Sequence, residues 1–148
     1  MSNINKKFKV LILCTGNSAR SQMAEGFLNQ LGHGLFEAYS AGVEPKGVNP
    51  LAITAMREVG IDISHHKSEN MEVYLNDKFD FVITVCDNAN EKCPIFPGEN
   101  KRIHWSFDDP AGEGGDESKR LAMFRRVRDE IKTRIGAWVA SANKGETL

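Results

Sequence analysis

Short runs of apolar residues alternate along the chain with segments whose apolar residues recur at helical spacing. The runs at 8–13 and 79–85 are almost wholly apolar, which is typical of strands buried on both faces of a parallel sheet. Further strands are predicted at 36–41 and 102–107. Helical spacing predicts helices over 23–31, 50–60 and 121–138, and a short helix over 69–76.

The alternation of strands and helices predicts βαβ units and therefore an α/β fold with parallel strands. We expect a single-domain three-layer sandwich, in which a four-stranded parallel sheet carries helices on both faces. At 148 residues the chain is long enough for one domain with its own core, so we assign residues 1–148 to it. The last residues, from about 141, are expected to fray.

Composition narrows the function classes. Hydrophobic residues make up 41% and charged residues 26%, and 20 acidic residues nearly balance 19 basic ones. That balance argues against nucleic acid or a membrane surface as the main partner, and the apolar runs are too short to span a bilayer. No apolar signal segment follows the lysines near the N-terminus, so we expect a cytoplasmic protein, and we expect it to be a monomer.

Three cysteines, an odd number, do not suit a secreted disulfide framework and predict reduced thiols. Cys14 and Cys86 each follow a predicted strand, and ligands bind beyond the carboxyl ends of strands in such sheets. The segment from Cys14 to Arg20 lies between a strand and a helix. Backbone N–H groups at a helix start, with Arg20 as a bidentate donor, would bind a tetrahedral oxyanion and favour a thiolate at Cys14. Ser21 would donate a further hydrogen bond to the sulfur.

Simpler interpretations of this segment stay open. If the loop bound nothing, Cys14 would be a buried core thiol and Arg20 a surface residue. A nucleotide P-loop is excluded, because no Gly-Lys-Ser/Thr follows at the required spacing. His65 and His66 are adjacent and cannot share one side of a helix as i, i+4 metal ligands do, so we expect both to face solvent.

The sequence Cys14-Thr-Gly-Asn-Ser-Ala-Arg20-Ser21, with Asp109-Pro110 before the last helix, resembles the low-molecular-weight protein tyrosine phosphatases. The resemblance extends from about residue 9 to residue 135. The most specific element is Cys86, followed after six residues by Cys93-Pro94, since phosphatases of this fold lack that pair of cysteines. The chain is therefore more similar to the thioredoxin-coupled arsenate reductases, which are built on the same fold.

The resemblance implies a relay of three thiols without a tightly bound cofactor. Cys14 attacks the arsenic of arsenate, and Asp109 assists the loss of an oxygen as water. Cys86 then attacks Cys14 and releases arsenite, after which Cys93 attacks Cys86 and thioredoxin reduces the resulting Cys86–Cys93 disulfide. The segment at 87–92 is polar, and we expect it to loop or unfold easily during this transfer.

The same resemblance assigns the remaining site residues. Asp109 is chosen over Asp108 because it precedes the proline, which favours an extended backbone at that position. The loop residues that hold the oxyanion are Thr15, Gly16, Asn17, Ser18, Ala19 and Arg20. Some relatives bind potassium near the loop, and this ion is the one candidate cofactor. The matching positions are Asn17, Glu25, Ser40 and Glu69, where Glu69 replaces a shorter aspartate.

The sequence leaves three functions open. The leading one is a thioredoxin-dependent arsenate reductase that serves arsenic detoxification. A low-molecular-weight protein tyrosine or aryl phosphatase needs only Cys14, Arg20 and Asp109, which are all present. A non-catalytic module that binds an oxyanion or senses thiols would not need Asp109. The Cys86–Cys93 pair distinguishes the reductase from the phosphatase.

Overall fold

The computed structural model describes residues 7–112 and 114–145. Strands and helices alternate along it, as the hydrophobic pattern predicts. The elements are, in chain order, β1 (Phe8–Cys14), α1 (Arg20–Leu31), β2 (Phe36–Gly42), α2 (Pro50–Arg57), a first 3₁₀ turn (Met71–Tyr74), β3 (Phe81–Thr84), α3 (Asp87–Lys92), β4 (Lys101–His104), a second 3₁₀ turn (Pro110–Gly112) and α4 (Glu117–Asn143). In the described residues no helix has both the length and the apolar character needed to cross a lipid bilayer.

All four strands are parallel and form one sheet in the order β2-β1-β3-β4, which confirms the predicted four-stranded parallel sheet. The residues from Val10 to Leu13 are at most 1% exposed, because β1 lies inside the sheet with both faces covered. The register pairs Cys14 with Gly42 on β2, and Leu13 with Thr84 on β3. The carboxyl ends of these three strands therefore meet at one edge of the sheet.

Aromatic contacts show how the two faces of the sheet are covered. Phe36 on β2 stacks on Trp138 of α4 with ring centroids 4.8 Å apart, whereas Tyr39 on the same strand lies 5.9 Å from the ring of Tyr74 in the first 3₁₀ turn. Positions 36 and 39 point to opposite faces of a strand. One face thus packs against α4, which also contacts α1, and the other face is closed near β2 by the 3₁₀ turn.

Residues 87–92, which are expected to loop or unfold easily during the thiol transfer, are folded in this structure. They form helix α3, in which Ala89 is fully buried and supplies an apolar anchor. The helix is capped by a sulfur, since Cys86 Sγ accepts a hydrogen bond from the Ala89 N–H at 3.4 Å. A single small residue at the centre of a six-residue segment is too weak a signal for a helical pattern to be recognised.

Other helix boundaries differ from the pattern. The helix predicted over 69–76 is reduced to the 3₁₀ turn, which Asn70 caps by accepting from the Glu72 N–H. α2 is capped by Asn49 and ends at Arg57, with a turn up to Gly60. α4 continues through residues 141–143, so the expected fraying from about 141 is wrong there. Residues 146–148 lie outside the described residues.

The aromatic packing against α4 leads to a stability prediction. Phe36 is 2% exposed and Phe8, its neighbour at 5.8 Å between ring centroids, is 40% exposed. Phe36→Ala should lower the free energy of unfolding by about 3–5 kcal/mol, since it leaves a cavity under Trp138. Phe8→Ala should lower the free energy of unfolding clearly less, because much of the Phe8 ring is already exposed to water. Equilibrium urea unfolding measures both, and equal losses would contradict the assignment of Phe36 to the core.

Candidate active site

The loop between β1 and α1 turns its carbonyl groups outward. The carbonyl oxygens of Cys14, at the end of β1, and of three loop residues accept hydrogen bonds from the segment that follows β2. The pairs are Val43 N to Cys14 O at 3.2 Å, Glu44 N to Thr15 O at 2.8 Å, Lys46 N to Gly16 O at 2.9 Å and Asn49 N to Ser18 O at 2.9 Å. Because the N–H of a trans peptide points away from its carbonyl, the amide side of this loop is left for a ligand. Such a set of N–H donors is what an oxyanion needs.

A cavity of about 240 Å³ opens where this loop meets α1. No side chain caps the start of α1, so the free N–H groups of its first turn and the positive end of its dipole are available to an anion. The lining residues are Cys14, Thr15, Gly16, Ser18, Ala19, Arg20, Lys46, Asp109 and Ala111. Of the predicted oxyanion-binding residues, only Asn17 does not line this cavity.

Asn17 lies beneath the loop and holds its shape. It is fully buried, and its φ of 46° is in the left-handed region, which asparagine tolerates better than most residues. Its Nδ2 donates to Ser21 Oγ at 2.8 Å and to Ser40 Oγ at 2.9 Å, while its Oδ1 accepts from the Glu69 N–H at 2.8 Å. The carboxamide therefore ties the loop to α1, to β2 and to the segment before the first 3₁₀ turn.

The sulfur of Cys14 lies on the floor of the cavity beside a hydroxyl group. Ser21 Oγ is 2.8 Å from Cys14 Sγ, and the serine oxygen already accepts a hydrogen bond from Asn17. The single proton of the hydroxyl is therefore free to point at the sulfur and to stabilise negative charge on it. Ser21 thus occupies the position that its predicted role requires.

Cys86 reaches the same loop through Thr15. Thr15 Oγ1 lies 3.3 Å from Cys86 Sγ and accepts a hydrogen bond from Asn88 Nδ2 at 3.0 Å. The threonine proton is therefore free for the sulfur, in the same way as the Ser21 proton is free for Cys14. The Ala89 N–H gives Cys86 Sγ a second donor. Both buried thiols consequently carry a hydroxyl donor that is oriented by an asparagine amide.

Asp109 stands at the open side of the cavity. Its Oδ2 lies 3.8 Å from Arg20 Nη2, and the side chain is 52% exposed. Arg20 Nη1 also donates to the Phe107 carbonyl at 3.1 Å, so the guanidinium is held at the cavity rim. Asp108 instead pairs with Arg126 of α4 at 3.0 Å and does not line the cavity. The structure thus brings Asp109, rather than Asp108, to Cys14 and Arg20.

Cys93 lies away from the other two cysteines, at the end of α3. All three thiols are free. Cys93 follows Cys86 by seven residues, which at the helical rise per residue corresponds to about 10 Å along the helix axis. Burial raises the pKa of the Cys93 thiol, and Arg102, which donates to the Cys93 carbonyl at 3.3 Å, partly opposes that rise. The loop therefore gathers Cys14 and Cys86 but not Cys93.

The prediction that His66 faces solvent is wrong, whereas His65 is exposed as expected. His66 Nδ1 lies 2.9 Å from Gln22 Oε1, and His66 Nε2 lies 3.6 Å from Glu25 Oε2. Burial lowers the pKa of His66, with the proximity of His65 as a second cause, and burial raises the pKa of Glu25. A cluster of polar side chains, Gln22, Glu25 and His66, thus lies beneath the loop. The sequence pattern predicts a solvent-exposed side chain for His66.

Sequence reasoning missed several residues of the site, among them Gln22 and Lys46. Gln22 is fully buried and donates through Nε2 to the Asn17 and Lys67 carbonyls, each at 3.1 Å. Lys46 lines the cavity because its backbone pairs with Gly16. The sequence gives no signal that this loop lysine lines the cavity, because the position of Lys46 depends on the path of the chain after β2. A glutamine beside the apolar residues of α1 was the one available clue for Gln22.

The four positions predicted for potassium are neighbours in space. Ser40 Oγ donates to Glu25 Oε1 at 2.6 Å and accepts from Asn17, while Glu69 joins through its backbone N–H. Over the described ranges, no group of three or more His, Cys, Asp or Glu side chains is arranged to hold a metal ion.

Comparison with known proteins agrees with the geometry of the loop. The family model of the low molecular weight phosphotyrosine protein phosphatases matches residues 9–147. The chain belongs to this family. Within it, an arsenate reductase from Shouchella clausii is 52% identical over 126 residues, which cover 85% of this chain and 91% of that protein. An arsenate reductase from Bacillus subtilis is 49% identical over 126 residues, with the same two coverages.

Solved structures described as arsenate reductases have the same architecture. One described as an arsenate reductase in the oxidized state has a TM-score of 0.77 at 38% identity, covering 90% of this chain and 97% of the other. A thioredoxin-dependent arsenate reductase from Corynebacterium glutamicum has a TM-score of 0.71 at 27% identity, covering 95% of this chain and 64% of the other. The predicted low-molecular-weight phosphatase-like fold is thereby confirmed.

The close approach of β2 to the loop yields a binding prediction. A Cβ on Gly42 would lie 2.7 Å from the Thr15 carbonyl oxygen and 2.8 Å from the Asn17 nitrogen. Gly42→Ala should therefore displace the loop backbone and weaken the binding of inorganic phosphate at least about tenfold, since such sites depend on donor positions within a fraction of an ångström. Isothermal titration calorimetry measures the change.

Gly136→Ala is the matched control for this substitution. A Cβ at Gly136 of α4 meets no atom within 4 Å, so phosphate binding should be unchanged and helix propensity slightly improved. Circular dichroism would show that both variants are folded. Equal phosphate affinity in the two variants would mean that the loop does not bind the anion.

Proposed function

We propose that the chain reduces arsenate to arsenite by a relay of three cysteines, which thioredoxin regenerates, in the cytoplasm and as a step of arsenic detoxification. The observation that carries the proposal is the contact of Cys86 with Thr15, because it brings a second sulfur to the loop that holds Cys14. Hydrolysis of a phosphate ester needs one thiol there, whereas a two-electron reduction needs a pair. The arsenate reductases of Shouchella clausii and Bacillus subtilis support the same substrate.

In the first step the Cys14 sulfur attacks arsenic and forms an S–As bond. The N–H groups of the loop and the Arg20 guanidinium hold the oxygens that remain and stabilise their charge. The oxygen opposite Cys14 leaves as water, with a proton supplied by the Asp109 carboxyl at the open side of the cavity. Phosphate is nearly isosteric and competes for the same donors.

In the second step the Cys86 sulfur attacks the Cys14 sulfur. A Cys14–Cys86 S–S bond forms and the S–As bond breaks. The electron pair of that bond stays on arsenic, so As(V) becomes As(III) and leaves as arsenite, while the two sulfurs are oxidised. The hydroxyl of Thr15 and the N–H of Ala89, both directed at Cys86 Sγ, stabilise the attacking sulfur before this step.

In the third step Cys93 attacks Cys86 and releases Cys14 as a thiolate. A disulfide requires Cα atoms about 4.4–6.8 Å apart, whereas the intact α3 holds Cys86 and Cys93 about 10 Å apart. The helix must therefore unwind before the Cys86–Cys93 disulfide forms. Thioredoxin then reduces this disulfide, a partner that the description of the Corynebacterium glutamicum structure supports.

Potassium is part of the proposal as a supporting ion. Asn17 Oδ1, Ser40 Oγ and the Glu25 carboxylate are oxygen donors of the kind that an alkali cation prefers, and they lie in one hydrogen-bonded group. A bound potassium ion would supply positive charge there. That charge would favour the ionised form of Glu25, whose pKa burial raises.

A second candidate function is hydrolysis of phosphotyrosine or aryl phosphates. The approach of Asp109 to Arg20 at the Cys14 cavity favours it, since these three residues suffice for phosphatase chemistry. The cavity lining contains no aromatic side chain on which an aryl group would stack, which weakens this candidate relative to an inorganic oxyanion. We expect a monomer in either case.

The direct test is arsenate-dependent consumption of NADPH, with thioredoxin and thioredoxin reductase supplied. The wild-type protein should sustain it, and Cys14→Ser should abolish it, because a serine hydroxyl does not ionise in this site as a thiol does. Hydrolysis of an aryl phosphate is measured beside it. Hydrolysis without any consumption of NADPH would assign the protein to the phosphatases, and turnover by Cys14→Ser would remove Cys14 from the nucleophile role.

The Cys93→Ser variant tests the relay itself. It retains Cys14 and Cys86 and should produce roughly one arsenite per enzyme before it stops as the Cys14–Cys86 disulfide, whose sulfurs are both buried and poorly accessible to thioredoxin. Arsenite yield against enzyme concentration measures the burst. Aryl phosphatase activity of the prereduced variant is the control and should equal that of the wild type. Sustained arsenite production driven by thioredoxin would show that Cys93 is not the shuttle.

A further inference from the structure

A chain of hydrogen bonds outside the anion cavity joins β3, β4 and α3. His104 Nδ1, on β4, lies 2.7 Å from Thr84 Oγ1, and His104 Nε2 lies 2.9 Å from Asp87 Oδ1 in the first turn of α3. Thr84 Oγ1 is also 3.3 Å from Asn90 Oδ1 of the same helix. Thr84 is 2% exposed, so its hydroxyl is a fixed point on the sheet to which a surface helix is attached. None of the relay steps uses these residues.

These hydrogen bonds attach α3 to the sheet. α3 is the helix that must unwind in the third step of the proposed relay. α3 has six residues, too few for a helix to persist on its own propensity. Three groups of contacts support it besides the burial of Ala89. They are the cap by Cys86 Sγ, the hydrogen bond from Asn88 Nδ2 to Thr15 Oγ1, and the contacts from His104 and Thr84 to Asp87 and Asn90.

We propose that His104 is a positioning residue that, with Thr84 and Asp87, forms a latch holding α3 helical until Cys86 has reacted with Cys14. The inference rests on the proposed relay, since it concerns the order of its steps. While α3 is latched, Cys93 stays about 10 Å from Cys86, and Cys86 stays beside Thr15. The dithiol is therefore protected from closing on itself before arsenate is reduced.

The reaction of Cys86 weakens one of these supports. As a thiol or thiolate, Cys86 Sγ accepts the Ala89 N–H and caps the helix. In the Cys14–Cys86 disulfide the sulfur carries no negative charge and is a weaker acceptor, so the cap is weakened. The helix then depends more on the contacts of His104, Thr84 and Asn88, and Asp87 is 79% exposed, where a single hydrogen bond is weak. The latch opens only after the chemistry that Cys86 performs.

The test measures closure of the Cys86–Cys93 disulfide without arsenate. In a Cys14→Ser background, excess diamide takes two electrons and two protons from the two thiols, and acid quenching with mass spectrometry follows the disulfide. In His104→Ala and in Thr84→Val the Cys86–Cys93 disulfide should form about fivefold faster than in the parent. This ratio corresponds to the net free energy of one ordinary hydrogen bond. Thr84→Val keeps the shape of the buried residue, which preserves folding.

Matched variants separate the latch from a general weakening of the helix. Asp87→Asn keeps an oxygen acceptor for His104 Nε2 and should close at close to the parent rate, whereas Asp87→Ala should match His104→Ala. The Asp87→Ala/His104→Ala double variant should be no faster than either single variant, because both remove the same contact. Glu91→Ala, on the exposed side of α3, should leave the rate unchanged.

Hydrogen exchange separates a local effect on α3 from a general loss of stability. Amides at 88–93 should exchange about fivefold faster in His104→Ala, while those of β1 and α4 keep their rates. Closure and exchange at the parent rate in both His104→Ala and Thr84→Val would overturn the proposal. Neither measurement uses arsenate, so the absence of an arsenite burst from Cys93→Ser would count against the proposed function and not against the latch.

Discussion

The outward orientation of the carbonyl groups in the loop after β1 is the constraint on which the site depends. A buried loop that kept its carbonyls inward would repel an anion, and one that left them unpaired would be unstable. Here the segment that follows β2 supplies N–H donors to the carbonyl groups of Cys14 and of three loop residues. Gln22 Nε2 donates to the carbonyl of Asn17. The parallel pairing of β1 with β2 makes this possible, because it brings Cys14 and Gly42 to the same level of the sheet.

The same loop organises two sulfurs through one recurring arrangement. An asparagine amide donates to a hydroxyl oxygen, and the hydroxyl proton is left for a cysteine; Asn17 and Ser21 serve Cys14, and Asn88 and Thr15 serve Cys86. Neighbouring residues thus bring the two sulfurs together, because Cys14 carries one of them and Thr15 contacts the sulfur of Cys86. A fold that hydrolyses phosphate esters needs only the first of these arrangements, whereas the proposed relay also needs the second.

Much of this organisation could be predicted from local patterns, and the part that could not depends on distant contacts. The strands and the anion loop are encoded within short segments, by apolar runs and by glycine and asparagine at a helix start. The burial of His66 was missed because it depends on Gln22, which lies 44 positions earlier in the chain. Lys46 reaches the cavity through a backbone bond to Gly16 and not through its own side-chain chemistry. Helix α3 was missed because Ala89, the Cys86 sulfur and His104 all stabilise a segment with little propensity of its own.

That weakness of α3 is consistent with what a relay demands of it. A helix stabilised by its own propensity or by a large apolar face would hold Cys93 away from Cys86 in every redox state, and the transfer of oxidation to the surface would stop. A segment without any helix would let the two thiols pair before arsenate arrived. Capping by the reacting sulfur itself avoids both failures, because the stability of the helix then depends on whether Cys86 has been consumed. The polar composition of 87–92 thus fits a short helix whose stability depends on its cap, as the proposed relay needs.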